Sequence, residues 1–270
     1  MKVSVIISTY NKEEWLRKVL VGFSVQTEKD FEIVIADDGS TESTKAIIDS
    51  FSGKFQNPII HVWQPDNGFQ KPMILNRAIV KSNADYLIFT DGDCIPRNDF
   101  VETHVSFRQK GHFLSGGYLK LPMLVSEGIS DDDIRNQHCF DLVWLHQKGL
   151  PKSTKNNKLA AKGQWAKLMN HITPTRATWN GHNASGWKSD LVSVNGFNQD
   201  MAYGGEDREL GERLFHIGIR PKQIRYSAVV VHLDHERKYA TPEAWEKNNA
   251  IRKYNRKHSV KRIENGIDRL

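Results

Sequence analysis

The sequence contains few cysteines and no long apolar run. Cys94 and Cys139 are the only cysteines in 270 residues. Two cysteines cannot build a disulfide framework, and they lack zinc-ligand spacing, so we expect reduced thiols without a function. No apolar run approaches the roughly 20 residues of a membrane-spanning helix. The N-terminal apolar run is shorter than the core of a signal peptide, which has about 7–15 residues. These absences predict a cytosolic protein.

Known nucleotide and nucleic-acid motifs are also missing. No Gly-rich phosphate loop of Walker or Rossmann type occurs, and no RNA-recognition motif or zinc finger occurs. The net charge is +6. The last twenty residues hold seven Lys or Arg and two acidic residues. Such a basic tail is either a solvated helix or a contact for an anionic lipid surface or a polyanionic substrate. Nucleic acid is not an expected partner.

Strand and helix patterns alternate over the first hundred residues. The strand patterns are "VSVIIS", "FEIVIA", "PIIHVW" and "DYLIFT", and amphipathic helical patterns lie between them. Asn11 is a candidate cap for the first helix, and Ser40 or Thr41 for the second. This alternation predicts an α/β fold with a parallel sheet covered on both faces. In such sheets, ligands bind beyond the carboxyl ends of the strands.

The pattern becomes irregular from about Leu121. The stretch "KGLPKSTKNNKLAAKGQ" is polar, basic and Gly-containing, and is typical of a mobile loop over a site. Order returns with the helix pattern "EDRELGERLFHIG" and the strand pattern "SAVVVHL". No internal repeat is present, so we expect one continuous domain followed by a basic tail.

Two carboxylates follow the fourth predicted strand in "YLIFTDGDCIP". Asp91 and Asp93 are one residue apart, and alternate residues of an extended segment face the same way. Repulsion and desolvation both oppose two such charges at the end of a buried strand. A cation with hard oxygen ligands, Mg²⁺ or Mn²⁺, would resolve that conflict. The alternative for any D-x-D sequence is a surface turn.

Several segments together resemble one enzyme family. "VSVIISTYNKEEWL", "QTEKDFEIVIADDGST", "DNGFQKPMILNRAI" and "YLIFTDGDCIP" resemble, in order, the blocks of family-2 nucleotide-sugar glycosyltransferases. "NGFNQDMAYGGEDRELGERLFHIGIR" resembles the block shared by β-1,4-galactosyltransferases and bacterial chondroitin-type polymerases. The resemblance implies a GT-A fold and a metal-dependent inverting transferase. Residues 1–120 would form the nucleotide-sugar half, 121–240 the acceptor and catalytic half, and 241–270 a basic helical tail.

The resemblance also implies donor contacts. Thr9, Tyr10 and Asp38 would lie on the uracil of a UDP-sugar, although Asp37 and Asp38 could instead cap the helix that follows. Lys12 and Lys71 are candidates for phosphate or donor contacts, or are solvated helix-start lysines.

The metal ligands follow from the same comparison. Asp93 would be the direct ligand of Mn²⁺ or Mg²⁺, and Asp91 would join it or touch the ribose. His232 falls where the family has a further ligand, and imidazole favours Mn²⁺. His235 is three residues further, so the two would not both face a metal from a straight strand. The alternative for His232 is an ordinary core hydrogen bond.

The acceptor hydroxyl needs a general base. The family assigns that role to Asp207, with Glu206 holding a sugar hydroxyl. Gly204 and Gly205 would let the backbone approach the sugars, and Tyr203 would pack against them. A helix N-terminus lowers the pKa of an acid, so Asp207 can serve as a base only if burial raises that pKa again.

The expected reaction is transfer of galactose, GalNAc, GlcNAc or a similar sugar from UDP to a glycan or lipid-linked glycan. Bacterial surface polysaccharide or lipopolysaccharide synthesis is the expected setting. The protein would be cytoplasmic, with peripheral contact at the inner membrane face through its tail. The alternatives are a sugar nucleotidyltransferase, an inactive glycan-binding module, or one half of a polymerase. Asn180, His182 and Asn183 either bind the donor sugar or form a surface hairpin, and His182 is not assigned a catalytic role.

Overall fold

A computed structural model describes residues 3–236 and 241–270. Residues 1–2 of the predicted first half and 237–240 of the predicted second half lie outside the described residues. The strands are β1 Val3–Thr9, β2 Phe31–Asp37, β3 Ile60–Trp63, β4 Tyr86–Asp91, β5 Cys94–Pro96, β6 His112–Ser115, β7 Gly117–Lys120, β8 Ala184–Trp187, β9 Arg220–Gln223 and β10 Val229–His232.

Twelve α-helices occur in the described ranges. They are α1 Glu13–Ser24, α2 Glu42–Asp49, α3 Lys71–Lys81, α4 Phe100–Phe107, α5 Met123–Glu127, α6 Asp131–Arg135, α7 Leu142–Gln147, α8 Asn157–Ala160, α9 Gly163–Ile172, α10 Lys188–Ser193, α11 Glu206–His216 and α12 Pro242–Lys257. None of these helices is both long and apolar enough to traverse a bilayer.

The strands form two sheets. The larger has the order β3-β2-β1-β4-β8-β6-β9, in which β3, β2, β1 and β4 are parallel and β8 is antiparallel to both of its neighbours. The smaller has the order β5-β10-β7. The predicted α/β architecture is confirmed.

The core lies on both faces of the larger sheet because successive side chains of a strand point to opposite faces. In β1, Val5 and Ile7 join the cluster under α1, whereas Ile6 joins the cluster under α3. All three side chains are fully buried, and each such burial is worth about 1.5–3 kcal/mol. The parallel half of the sheet is therefore a rigid support for the loops at its carboxyl end.

The predicted cap at Asn11 is wrong. Asn11 has a φ of 43° and precedes Lys12, the residue that caps α1. Its side-chain oxygen accepts a hydrogen bond from the backbone N–H of Thr41, at 2.9 Å, and so helps to hold the start of α2. The Asn11 loop thus fastens the carboxyl end of β1 to that of β2.

The C-terminal residues are packed against the domain. In α12, Asn248 and Asn255 are buried. Asn255 donates to Glu209 of α11 at 2.8 Å, and Arg252 pairs with Glu212 of α11 at 2.6 Å. The side chain of Asn248 donates to the carbonyls of Ala202 and Gly204. Helix α12 therefore supports the loop before α11.

Candidate active site

The carboxyl ends of β1, β2 and β4 bring the first polar groups together. Thr9 lies beside Asp37, and Ser8 lies beside Asp91. The N–H of Asp38 donates to the carbonyl of Thr9, and the N–H of Gly92 donates to that of Ser8. The acidic pairs Asp37 and Asp38, after β2, and Asp91 and Asp93, after β4, therefore flank the end of β1.

Asp38 lies in a buried polar pocket. One of its oxygens accepts from the side chain of Gln64 at 2.6 Å, and the other from the N–H of Gln70 at 2.9 Å. Burial raises the pKa of Asp38 to about 6, against the lowering effect of these two hydrogen bonds. The side-chain oxygens of Gln64 and Thr9 are buried with no hydrogen-bond partner among the described residues. The pocket thus offers several acceptors to a hydrogen-bonding ligand.

Tyr10 stands at the mouth of this pocket. Its ring is 45% exposed, and its hydroxyl donates to Asp66 at 2.8 Å. Gly39 allows this arrangement, since a Cβ there would lie 2.5 Å from the Cα of Asp66. Lys12 is exposed at the start of α1, and its ammonium group pairs with no described residue. The structure therefore brings Tyr10 to the pocket but does not tie Lys12 to it.

Lys71 and Asp91 form the centre of the site. Their ion pair measures 2.6 Å, and the same Asp91 oxygen accepts from the hydroxyl of Ser8 at 2.6 Å. Burial opposes the charge of Lys71, but the carboxylates of Asp91, Asp207 and Glu206 outweigh burial and raise its pKa. Although burial acts the other way, Lys71 lowers the pKa of Asp91. Lys71 is thus a cation that faces three acids.

A histidine cluster, which consists of Asp93, His232 and His235, lies beside this centre. The Nε2 atom of His235 is 2.9 Å from one Asp93 oxygen, and that of His232 is 3.7 Å from the other. The two rings stack at 5.6 Å. Both histidines contact Asp93 although they are three residues apart, because β10 ends at His232 and His235 lies beyond the strand.

The histidine rings are oriented by backbone carbonyls. Nδ1 of His232 lies 2.8 Å from the carbonyl of Leu233, and Nδ1 of His235 lies 2.9 Å from that of Glu236. A carbonyl only accepts hydrogen bonds, so each Nδ1 carries a proton, and in a neutral ring the lone pair is on Nε2. Nε2 of His235 faces a carboxylate, which also only accepts, so either this nitrogen carries a proton that it donates to Asp93 or a cation joins the two.

Asp91 and Cys94 lie close to Asp93 along the chain, and their side chains make different contacts. Asp91 accepts hydrogen bonds from Lys71 and Ser8, whereas Asp93 faces the two histidines, so the two acids have different partners. The thiol of Cys94 donates to Asp93 at 3.3 Å, and burial and the Asp93 charge raise its pKa. Among the described residues, Asp93, Cys94 and His232 each bring one possible ligand atom within 4.8 Å of the others. Cys94 and Cys139 are both free and buried.

The base region consists of Glu206 and Asp207 at the start of α11. Gly204 and Gly205 precede it with φ values of 109° and 91°, and Gly205 caps the helix. The N–H of Gly204 donates to Glu206 at 2.7 Å. One Asp207 oxygen, Oδ1, is buried without a hydrogen-bond partner among residues 3–236 and 241–270.

The pKa of Asp207 answers the question raised by its helix position. Burial, followed by the charge of Glu206, raises it to about 7, against the lowering effect of Lys71. Burial and Glu206 thus raise the pKa of an acid that lies in the first turn of α11. A carboxyl group with a pKa near neutrality can take up a proton at physiological pH.

The segment around His182 forms a wall of the site rather than a surface hairpin. A Cβ on Gly181 would lie 2.7 Å from Asp207 Oδ2, so this glycine allows the close approach. The ring of His182 packs on Tyr118 at 4.4 Å, and burial lowers the pKa of His182 to about 4. Asn183 is fully buried and donates to the carbonyls of Gly117 and Ala228. The sequence did not decide between the two roles of this segment, because the residues that hold it in place are distant along the chain.

Aromatic rings flank the base region. Tyr203 packs edge-on against Phe69 at 5.8 Å and against Trp245 of α12 at 6.1 Å. A Cβ on Gly204 would lie 2.7 Å from the Trp245 ring. The sequence did not predict a role for Phe69 or for Trp245. Trp245 lies in residues 241–270, which were predicted to be a tail.

Two family patterns match the chain. The family described as "Glycosyl transferase family 2" matches residues 4–119, and "N-terminal domain of galactosyltransferase" matches residues 174–236. The validoxylamine A glucosyltransferase of Streptomyces hygroscopicus subsp. limoneus is 26% identical over 87% of this chain and 52% of its own. The chondroitin synthase of Escherichia coli is 27% identical over 80% of this chain and 32% of its own. The chain thus spans about half or less of these relatives.

Solved structures confirm the predicted GT-A fold. The mannosyltransferase PcManGT from Pyrobaculum calidifontis, in complex with GDP-Man and Mn²⁺, superposes with a TM-score of 0.57 at 18% identity, over 88% of this chain and 58% of its own. TarS 1-349 of S. aureus, in complex with UDP-GlcNAc, superposes with a TM-score of 0.57 at 16% identity, over 88% of this chain and 60% of its own.

Proposed function

Since the chain belongs to glycosyltransferase family 2, we propose that it transfers a sugar from a UDP-sugar to a glycan acceptor with inversion at the anomeric carbon. The observation that supports this proposal most directly is the base region. Asp207 has a pKa of about 7 and an unpartnered buried oxygen, and it lies near the Lys71–Asp91 pair. A base and a cation near each other are what a displacement with an anionic leaving group requires.

Asp207 would act as the general base. The free oxygen of Asp207 accepts the proton of the acceptor hydroxyl. As it does so, the hydroxyl oxygen attacks the anomeric carbon, and the bond from that carbon to the UDP oxygen breaks. General-base catalysis of this kind is worth about 10²–10⁴ in rate. A single in-line attack inverts the anomeric carbon, so an α-linked donor gives a β-linked product. Glu206 and Tyr203 would hold the sugars beside this oxygen.

Lys71 would stabilise the departing diphosphate. It remains protonated because three acids surround it, and its position next to Asp91 places the charge at the centre of the site. Asp91 would in turn contact the ribose through its other oxygen. Lys12, at the start of α1, and Gly205, at the start of α11, remain candidates for further donor contacts.

The histidine cluster fits a divalent cation. Asp93 and His232 would hold it, with Cys94 and His235 as candidates for a further ligand, and an imidazole ligand favours Mn²⁺ over Mg²⁺. When bound, the ion would act as a Lewis acid that neutralises charge on the leaving group. The Mn²⁺ in the PcManGT complex supports metal use within this fold.

The Asp38 pocket would bind the base of the nucleotide. A carboxylate has room for about four hydrogen bonds, so Asp38 can still accept the ring N–H of uracil beside its bonds from Gln64 and Gln70. Tyr10 would cover the ring, and Thr9 would bond its edge. The UDP-GlcNAc complex of TarS supports uridine, whereas the GDP-Man complex of PcManGT shows another base on the same fold.

We infer that the acceptor is a bacterial surface glycan, free or linked to lipid, as in polysaccharide or lipopolysaccharide synthesis. The protein would work in the cytoplasm, with peripheral contact at the inner face of the membrane. The names of two relatives, chondroitin synthase and poly(ribitol-phosphate) β-N-acetylglucosaminyltransferase TarS, support a polymeric acceptor.

A donor panel tests the proposal. UDP-galactose, UDP-GalNAc, UDP-GlcNAc, UDP-glucose and GDP-mannose are each incubated with chelator-treated protein, with and without Mn²⁺, and released nucleotide is measured. We expect release from one UDP-sugar, increased by Mn²⁺ and by acceptor. Release from GDP-mannose alone would contradict the Asp38 assignment. Release from no donor would favour an inactive module, and NTP formation with pyrophosphate would favour a nucleotidyltransferase.

A further inference from the structure

A second basic surface lies outside the site and outside the C-terminal tail. From Lys148 to Arg176 the chain has seven Lys or Arg residues and no Asp or Glu. Most of these basic side chains are exposed, including Lys152, Lys155 and Lys162. The tail is less charged in effect, because Arg252 and Arg256 both pair with Glu212.

Helix α9, Gly163–Ile172, presents an apolar stripe within this basic segment. Trp165, Leu168 and Ile172 recur at intervals of three and four residues, which places them on one side of the helix. Their exposed fractions are 59%, 47% and 55%. Lys162, just before α9, and Lys167, within it, are also exposed. Large apolar side chains beside lysines are typical of helices that lie in a membrane interface.

The stripe cannot turn into the core, because the opposite face of α9 is anchored. Ala166 and Asn170 are buried. The side chain of Asn170 donates to the hydroxyl of Ser227 at 2.7 Å and accepts from the N–H of Tyr226 at 2.8 Å. The side chain of Gln223 donates to the backbone carbonyl of Asn170 at 2.6 Å. These contacts fix the orientation of the stripe.

We propose that this surface, made of Trp165, Leu168, Ile172 and the flanking lysines, docks the protein on an anionic phospholipid bilayer. The charge pattern selects this occupant: an uninterrupted positive segment complements the negative surface of phosphatidylglycerol or a similar lipid. The exposed indole and aliphatic groups match the interface below the headgroups.

Lys158, in the same basic segment of the chain, contacts the wall of the candidate site. Lys158 of α8 donates to the carbonyl of Tyr118 at 2.7 Å, and its ammonium group lies 5.5 Å from the Tyr118 ring. Tyr118 in turn packs on His182 and on His232. On the proposed function, a lipid-linked acceptor held at the bilayer would therefore reach the site from the α9 side. Only this last step depends on the proposed function.

Vesicle flotation tests the surface. The full chain is mixed with vesicles of phosphatidylcholine alone or with about 30% phosphatidylglycerol. We expect binding only to the anionic vesicles, weakened by salt. The triple variant Trp165→Ser, Leu168→Ser, Ile172→Ser should lower the partition coefficient at least about tenfold. The variant Lys162→Gln, Lys167→Gln, Arg176→Gln should also lower it.

The tail supplies a matched control. Lys253, Tyr254 and Lys257 are exposed on α12, so Lys253→Gln, Tyr254→Ser, Lys257→Gln makes the same kind of change on the other basic helix. We expect this variant to bind vesicles like the unchanged protein. Loss of binding in the control with retention in the α9 variants would overturn the proposal and favour the tail.

Two further readouts separate the possible failures. Unfolding curves and nucleotide release with a water-soluble acceptor should be the same for the α9 variants and the unchanged protein. Nucleotide release that is absent in every variant while vesicle binding persists would overturn the proposed function but not the surface. The unchanged protein could instead form a dimer that dissociates in the α9 variants, and bind no vesicles. That result would identify the stripe as a protein interface and overturn the proposed membrane surface.

Discussion

Two regions of the active site, the histidine cluster and the base region, treat a buried carboxyl group in opposite ways. Burial disfavours the charge of both Asp93 and Asp207. The histidines facing Asp93 overcome burial and lower its pKa, whereas Glu206 adds to burial and raises the pKa of Asp207 to about 7. The neighbours, rather than burial itself, decide which acid stays an anion and which can exchange a proton.

Replacement of the base should have the largest effect. Asp207→Asn keeps the shape but removes the proton acceptor, and we expect kcat to fall about 10²–10⁴-fold with little change in donor KM. Steady-state kinetics with a fixed acceptor measures this. Asp190→Asn is the matched control, because burial raises the pKa of Asp190 too, but Asp190 lies on α10, away from the site. Equal losses in both variants would contradict the assignment.

Removal of a histidine tests the other region, the histidine cluster. His232→Ala and His235→Ala should each weaken Mn²⁺ binding by at least about tenfold, because each removes one nitrogen that faces Asp93. Calorimetry on chelator-treated protein gives the affinity. His171→Ala, an exposed histidine of α9, should leave it unchanged. Unaltered affinity in His235→Ala would restrict the cluster to Asp93 and His232.

The pH dependence of the reaction sharpens the contrast. As the free-enzyme base, Asp207 should make kcat/KM rise with pH through a midpoint near 7. Lys71 lowers the pKa of Asp207, so Lys71→Met should move that midpoint to higher pH and reduce the rate at pH 7 about tenfold. Lys12 does not contact these acids, so Lys12→Met should leave the midpoint of the pH profile unchanged. An acid shift in Lys71→Met would refute the stated electrostatics.

The smallest expected effect concerns stability. A carboxyl group whose pKa is raised by folding stabilises fully below its unfolded pKa, and this stability is lost as pH rises through the folded pKa of about 7. Asparagine does not ionise, so Asp207→Asn avoids the cost of a buried charge at high pH. The variant should therefore stabilise the protein by roughly 1–3 kcal/mol at pH 8 and hardly at pH 4. Thermal unfolding at the two pH values measures the difference. A uniform effect at both values would argue against a raised pKa.

The parallel half of the fold could be predicted because its signals are local. Each strand from β1 to β4 is a short apolar run, and each helix between them has helical spacing, so periodicity was sufficient. The Asn11 error has a physical reason, since its partner Thr41 is thirty residues away and capping rules consider only neighbours. Long-range hydrogen bonds are not visible in a local pattern.

The second half of the site depended on more distant contacts. Asp93, His232 and Asp207 could be chosen through resemblance, but His235 joins them only because the chain turns after β10. His182 and Tyr118 meet through packing between segments more than sixty residues apart. Sequence spacing gave no signal for that contact, so the wall of the site could not be predicted.

Helix α12 has a consequence for how the unit can be cut or fused. The matched family patterns stop at residue 236, yet the Asn248 amide group is satisfied by Ala202 and Gly204, on the loop that leads into Asp207. A boundary drawn where similarity ends would preserve every acid and histidine discussed above and still release that loop. A fusion or exchange of this domain should therefore carry helix α12 along with these acids and histidines.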